Sequence, residues 1–317
     1  MAIRSGAHHR PVSSRSLEVE VSPPWPYRLP RRGSGDGTMR VREGVVARFL
    51  HVDGEPVVVH AWRRRSGDVV LRATASPFAE SPGPERLELA IERMRFALGV
   101  DDEYSEFFRQ FKRDPVIGPS LRRRPWLRPR RRPWPWEALA SAIAGQLIEA
   151  SRAAQIERRM VRRWGRRIEV GGERPMRLRD VPAPDAIAAR APAELAAMDL
   201  SAGRALAMIR CAREVAAGRA DLFRPEADRR LLAIREIGPW TIQCLGLNGR
   251  GDPDSLPAGD LAYVKLVGRL AGLGRRATVP EVEEYFAPYA PFRALAGLFA
   301  LSHYHLAVPT GPPTRLV

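Results

Sequence analysis

From Leu17 to Thr74 apolar and polar positions alternate. LEVEV (17–21) reads with period two, VREGVVARFLHV (41–52) and EPVVVHAWR (55–63) continue the pattern, and GDVVLRATA (67–75) follows the turn residues Ser66-Gly67-Asp68. β-Branched runs punctuated by Gly, Pro and Asp predict an antiparallel sheet. PERLELAIERMRFALG (84–99) then switches to helical spacing with Gly99 as its stop, so the first unit reads as a sheet backed by a helix. Beyond residue 100 the spacing stays helical. Helices are predicted over 102–112, 136–165, 183–198, 202–217, 226–235, 239–248, 260–271, 279–285 and 291–306. The expected organisation is a disordered basic tail (1–16), a small antiparallel-sheet plus helix domain (17–100) and an all-α domain (101–317).

Charge changes the picture next. The 317 residues carry 52 Lys+Arg against 36 Asp+Glu, a net +16, which makes a polyanion the first partner to consider. Lys112 and Lys265 are the only lysines, so part of the arginine excess is what a GC-rich genome would give, and charge alone does not decide. No uncharged apolar run nears 18 residues, which excludes a transmembrane helix. Residues 1–16 lack the apolar segment of a secretory signal, and a cytoplasmic protein without membrane contact is expected. Cys211 and Cys244 are too few for a disulfide framework, a structural zinc site or a four-cysteine iron–sulfur cluster.

Three segments carry candidate chemistry. LRRRPWLRPRRRP (121–133) is an arginine loop, either a phosphate-contacting arm with Trp126 and Trp134 interleaved or a solvated loop. LLAIREIGPWTIQCLGL (231–247) places Ile237-Gly238 between two helices, with Pro239 early in the second, where its missing N–H costs nothing. It reads as an ordinary αα-hairpin or as a helix–hairpin–helix whose first-turn N–H groups hold a phosphate while Gly238 lets a strand approach. In GDPDSLPAGDLAYVKLVGRL (251–270), Asp260 either caps a helix or supplies a carboxylate able to stabilise an oxocarbenium ion and direct water.

Taken with ALASAIAGQLIEASRAAQI (138–156) and MDLSAGRALAMIRCA (198–212), the hairpin IGPWT (237–241) and LPAGDL (256–261) resemble the helix–hairpin–helix DNA glycosylase superfamily. Within it they are similar to the DNA-3-methyladenine glycosylase II branch, over about residues 17–306. The resemblance implies a TATA-binding-protein-like α+β domain followed by an all-α glycosylase domain, and a base-flipping excision repair enzyme acting on double-stranded DNA with damaged bases. Asp260 falls on the catalytic aspartate. Trp240 stands where lyase-type relatives carry a Schiff-base lysine, which implies a monofunctional hydrolase. Cys244 and Tyr304 join Trp240 as base-pocket candidates, with Trp25, Tyr27 and Phe299 reading as sheet or helix core. Gln146 and Leu147 match the pair that fills the gap left by the flipped nucleotide. Ile237, Gly238, Pro239, Thr241 and Arg204 complete the expected DNA contacts.

Cofactors follow the same resemblance: none required, no iron–sulfur cluster, and a monovalent cation as the one ion that hairpins of this kind hold through backbone carbonyls. A monomer associated with the nucleoid is expected. Three departures stand out. Glu236 replaces the first glycine of the hairpin, Ala262 stands where glycine is common, and Cys244 replaces an aromatic residue. They keep two other readings open, a glycosylase for deaminated or oxidised purines and a catalytically weak damage-binding protein.

Overall fold

The computed structural model describes residues 8–13, 15–75, 83–170 and 175–307. Its sheet contains β1 (His8–Ser13), β2 (Ser16–Val21), β3 (Met39–Arg42), β4 (Val45–Val52), β5 (Glu55–Arg63) and β6 (Val69–Ala75), all antiparallel, in the order β1-β2-β6-β5-β4-β3. The run VREG is a hairpin rather than the start of one strand. Glu43 and Gly44 adopt φ of 51° and 79°, and Asp53 and Gly54 close the next hairpin at 51° and 83°. Paired positive φ values are what two-residue turns between twisted strands require. Helix α1 (Pro84–Leu98) covers one face, packing Leu87, Ile91 and Met94 with Val19, Leu50, Val59 and Leu71. Fully burying a side chain of this size is worth about 1.5–3 kcal/mol. Gly99 ends α1 in the left-handed conformation at φ 65°, as its position predicts.

The expected tail needs correction. Residues 8–13 form β1, His8 pairing with Glu20 and Pro11 with Leu17 along β2, and Ser16 opens β2 itself. Without β1 the outer edge of β2 would expose a row of unpaired backbone groups, which the extra strand satisfies. Residues 1–7 and 14 lie outside the described residues.

Short helices follow: α2 (Ser105–Phe111), α3 (Gly118–Arg123), α4 (Pro135–Gly145), α5 (Ala150–Trp164), α6 (Pro184–Ala188), α7 (Pro192–Ala196), α8 (Ala202–Ala216), α9 (Ala227–Leu232), α10 (Pro239–Leu245), α11 (Leu261–Leu270), α12 (Val279–Phe286) and α13 (Arg293–Ala307). Leu139, Ile143, Ile156, Met208, Leu231 and Leu245 centre one core. Phe107, Leu266, Phe286 and Phe299 centre a second, nearer the C-terminus. The helical region also holds one two-stranded hairpin, β7 (Arg167–Val170) and β8 (Met176–Arg179), whose Leu178 packs on Phe49 and Val58 of the large sheet. No helix among the described residues is long and apolar enough to cross a membrane.

Two local departures shape the site. The single helix expected over 136–165 is interrupted between Gly145 and Ala150, because Gln146 turns to ψ 126° and Leu147 takes φ 58°. The arginine loop begins as helix α3 and then serves as internal fastening. Arg124 donates to Ser302, Arg128 to the Gly99 and Pro26 carbonyls, and Arg131 pairs with Asp102. Arg132 joins Asp36, Glu157 and Ser141, while the Arg28 guanidinium lies 3.3 Å from the centroid of Trp126. Five of its seven arginines, with Arg122 on the Lys112 carbonyl, thus have protein partners.

Arg132 belongs to a buried ionic seam between sheet and helices. Arg48 of β4 pairs with Glu137 of α4, and the two are 4% and 3% exposed. His51 and Asp180 meet at 2.7 Å nearby. Burial pushes the Glu137 and Glu157 carboxyls above the usual range. At Asp36 burial pushes the same way, but Arg132, Arg48 and hydrogen bonds from Ser34 and Thr38 outweigh it, leaving that carboxyl far below its ordinary value.

Candidate active site

Asp260 caps a helix and turns its second carboxylate oxygen to an indole. It is the N-cap of α11, its Oδ1 accepting the Ala262 N–H at 2.8 Å, and its Oδ2 accepts the Trp240 indole N–H at 3.3 Å. Each carboxylate oxygen keeps a second acceptor direction. The cap contributes about 1 kcal/mol and fixes the orientation of the side chain at the helix start.

Trp240 is the second residue of α10, placed there by Pro239 at the first helical position. Its ring spans the cleft. A Cβ on Gly259 would stand 3.9 Å from Trp240 Cβ, and a Cβ on Gly145 would stand 3.9 Å from Cη2 at the ring's far end. The indole therefore runs from Asp260 to the end of α4, with glycines where larger side chains would close the space.

Leu147 stands beyond Gly145. It is fully exposed at 105%, in left-handed backbone. A leucine held this way costs about 1–3 kcal/mol in backbone strain and gains nothing from burial, so the surrounding contacts must impose it. They come from two residues that were expected on DNA. Gln146 Nε2 donates to the Glu236 carbonyl at 2.6 Å and to Thr241 Oγ1 at 2.9 Å. Arg204 Nη1 donates to the carbonyls of Ala144 and Gln146 at 2.9 and 3.3 Å. Gln146 and Arg204 thus tie the Leu147 loop to the hairpin and to α8.

In the hairpin, Gly238 caps α10 with extended backbone, φ −116° and ψ 179°, and a Cβ there would meet nothing within 4 Å. The position is open for close approach from outside. Ile237 is 6% exposed and Thr241 1%, both turned inward, and the Thr241 N–H is taken by the Gly238 carbonyl at 3.0 Å. Glu236 adopts φ 74°, the conformation that favours glycine, and its carboxylate lies against Gly203 of α8. Arg250, paired with Asp228 at 2.6 Å, braces the far end of the motif.

Cys244 lies one turn after Trp240 and is 8% exposed. Burial, aided by the Asp260 charge, pushes its thiol up to about 12, so it is a small apolar wall rather than a nucleophile. The structure thus gathers Gln146, Leu147, Arg204, Ile237, Gly238, Pro239, Trp240, Thr241, Cys244 and Asp260 into one region. Tyr304 is placed elsewhere, on α13 in the C-terminal core, with the Arg269 guanidinium 4.5 Å from its ring centroid. Trp25 packs half-buried on Phe108, while Tyr27, donating to the Leu98 carbonyl, and the fully buried Phe299 are core.

Sequence reasoning missed three neighbours. Leu261 and Val279 stay 50% and 43% exposed, with Val279 Cγ2 3.7 Å from a Cβ on Gly259, so they form an apolar rim at Asp260. Arg235 projects from the hairpin, its side chain 88% exposed. Leu261 was legible as an apolar residue directly after Asp260; Val279 lies on another helix and carried no signal. Among the described residues no group of three or more His, Cys, Asp or Glu side chains could hold a metal.

No family model matches the chain. A DNA-3-methyladenine glycosylase of Bacillus subtilis (strain 168) is 26% identical over 206 residues, spanning 63% of this chain and 67% of the relative. Among solved structures, the 3-methyladenine DNA-glycosylase from Archaeoglobus fulgidus superimposes with a TM-score of 0.73 at 22% identity, covering 90% of this chain and 94% of that one. The 8-oxoguanine glycosylase/lyase of Clostridium acetobutylicum, in complex with double-stranded DNA containing cytosine opposite 8-oxoG, gives 0.67 at 16%, covering 95% and 98%. At these identities the two structures establish the fold.

Proposed function

From a chain that resembles the helix–hairpin–helix DNA glycosylases in sequence and shares their fold, we propose an enzyme that hydrolyses the N-glycosidic bond of alkylated purines in double-stranded DNA. The substrates are chiefly 3-methyladenine, with 7-methylguanine second, and the process is base excision repair. One observation carries the reading: a capped carboxylate hydrogen-bonded to an indole, beside a leucine presented bare to solvent.

Each part has a task. A base inside a duplex is out of reach, so it is extruded, and Leu147 fills the gap to offset the lost stacking. Alkylation at N3 or N7 makes the purine cationic, which favours the electron-rich face of Trp240 and weakens the bond to the sugar. With so good a leaving group, Asp260 need only stabilise the positive sugar and direct water to C1′. The hairpin backbone around Gly238 faces phosphate. Gln146 and Arg204 hold the wedge loop in place.

A lyase route would need an amine at the sugar. Position 240 is tryptophan, and Lys265 is exposed on α11, five residues or about 140° around the helix from Asp260. This supports a monofunctional hydrolase that leaves an abasic site. No cofactor enters the chemistry. A monovalent cation at the hairpin would bind backbone carbonyls, of which that of Glu236 already accepts Gln146. The protein acts as a cytoplasmic, nucleoid-associated monomer.

Replacing Asp260 by Asn should lower base release from methylated DNA at least about a hundredfold while binding to an abasic-analogue duplex stays within severalfold. Retained turnover would refute the assignment. Duplexes carrying single alkylated, oxidised or deaminated purines separate the substrate classes in the same assay, and binding without release of any base would reassign the protein as a damage-binding one.

A further inference from the structure

An open groove lies between α8 and α9, lined by none of the residues around Asp260, with a volume of about 710 Å³. Arg210 and Arg213 line it from α8, Arg229 and Arg230 from α9, and Arg219 from the connection between them. Two carboxylates face these five guanidiniums. One of them, Glu214, is held by Arg219 at 2.8 Å and Arg230 at 2.9 Å, and stays ionised because those guanidiniums draw its carboxyl down to about 2. Arg213 gives its Nε to the Ala188 carbonyl. The Arg210 and Arg229 side chains are exposed and have no hydrogen bond or ion pair among the described residues.

Ala233 and Ile234 line the groove on the hairpin side, and the next residue is Arg235, which projects from the hairpin. Five guanidiniums against Glu214 and Glu226 leave the groove net positive, and Arg235, beside Glu236 at 3.8 Å, continues the arginines to the hairpin. We infer that the α8–α9 groove carries the phosphate backbone of the duplex flanking the lesion on the hairpin side. The inference rests on the DNA-binding reading above and extends it from the lesion to the flank. Arg229 lies in α9 and Arg235 six residues on, in the turn that follows it; six residues span at most about 20 Å, so the two contacts fall within about six nucleotides of one strand. Unpartnered guanidiniums on a flexible stem suit phosphate, whose planar pairs of oxygens they can bridge.

The test is a salt titration of binding to duplexes carrying a central abasic analogue, comparing wild type with the double variant Arg210→Ala/Arg229→Ala. Each phosphate contact contributes about 0.9 to the slope of log affinity against log salt, so the variant's slope should be shallower by about 2. On duplexes cut back to within about three base pairs of the lesion on the hairpin side, the two proteins should bind alike. Both side chains are exposed and unpaired, so circular dichroism and thermal midpoint serve as folding controls. Equal slopes on the long duplex overturn the groove assignment and leave the surface to an acidic protein partner. A loss that persists unchanged on the shortened duplex overturns it too, since the contacts would then lie at the lesion. Wild type that binds none of these duplexes overturns the functional reading itself.

Discussion

The ionic seam and the cleft at Asp260 are both assembled from residues far apart in sequence, yet they treat charge and apolar surface in opposite ways. At the seam Arg48, Glu137, Asp36 and Arg132 are sequestered and paired, and apolar side chains pack around them. At the cleft a leucine is bare, two non-glycine residues sit in left-handed backbone, and one carboxylate keeps open acceptor directions. The seam is built to hold sheet and helices together. The cleft retains local costs that the ties from Gln146 and Arg204 hold in place, and strain of this kind clusters at functional sites.

Breaking the seam should have the largest effect. In Arg48→Ala the Glu137 carboxylate is left buried without its partner, and Glu137 Oε1 and Arg48 Nε are already unpaired in the folded state. Removing one member of a buried pair costs about 3–5 kcal/mol, whereas replacing both by apolar residues of similar volume is close to neutral. Urea unfolding of Arg48→Ala and Arg48→Met/Glu137→Leu would show the contrast; equal losses would mean that the site matters for packing alone.

Asp36 gives the seam a pH dependence. Its folded carboxyl is held below the unfolded value of about 3.9, so its contribution is present above that pH and lost as pH falls through the folded value. Glu137 and Glu157, raised by burial, carry the opposite sign: what they contribute is present below about 4.3 and fades as pH rises. Comparing wild type with Asp36→Asn isolates the first group. The variant should be less stable by about 2 kcal/mol at neutral pH, and the gap in thermal midpoint should narrow below about pH 4. A gap independent of pH would place the effect in lost hydrogen bonds rather than in charge.

The sheet was legible because alternation and turn residues act over a few positions. So was Asp260, since the sequence offered a cap and a carboxylate in one residue, and the fold uses it as a cap and aims it at Trp240. The interruption of 136–165 was not, because apolar spacing runs through it and what stops the helix is a long-range tie from Gln146 to Glu236 and Thr241. The arginine loop misled for the same reason. Its composition suggests phosphate, but Asp102, Asp36, Glu157 and several carbonyls, distant in sequence, had already claimed most of its guanidiniums. The arginines that line an open groove, Arg210 and Arg229 among them, lie instead on α8 and α9, where no local pattern marked them.

At the cleft, Leu147→Ala should leave the thermal midpoint unchanged, since nothing buried is lost, while base release falls about tenfold, near 1.4 kcal/mol. A stability loss with intact release would reverse the assignments of wedge and scaffold.

The smallest effect should come from Glu236. Its φ of 74° is unfavourable for any side chain, and its carboxylate lies over Gly203, where a Cβ on α8 would collide with it. Glycine at 236 removes the strain but adds freedom to the unfolded chain, so the gain is the difference of the two and should come to about 1 kcal/mol. The carbonyl that accepts Gln146 is backbone and survives the change, so the wedge loop keeps its tie. What is lost is one negative charge beside the exposed Arg235, on the face proposed to meet phosphate. Glu236→Gly should therefore melt a few degrees higher and bind duplex DNA about two- to fivefold more tightly at low salt, the difference fading as salt rises. If the variant is instead less stable and binds more weakly, Glu236 is holding the hairpin against α8, and the cleft would share the seam's way of using charge.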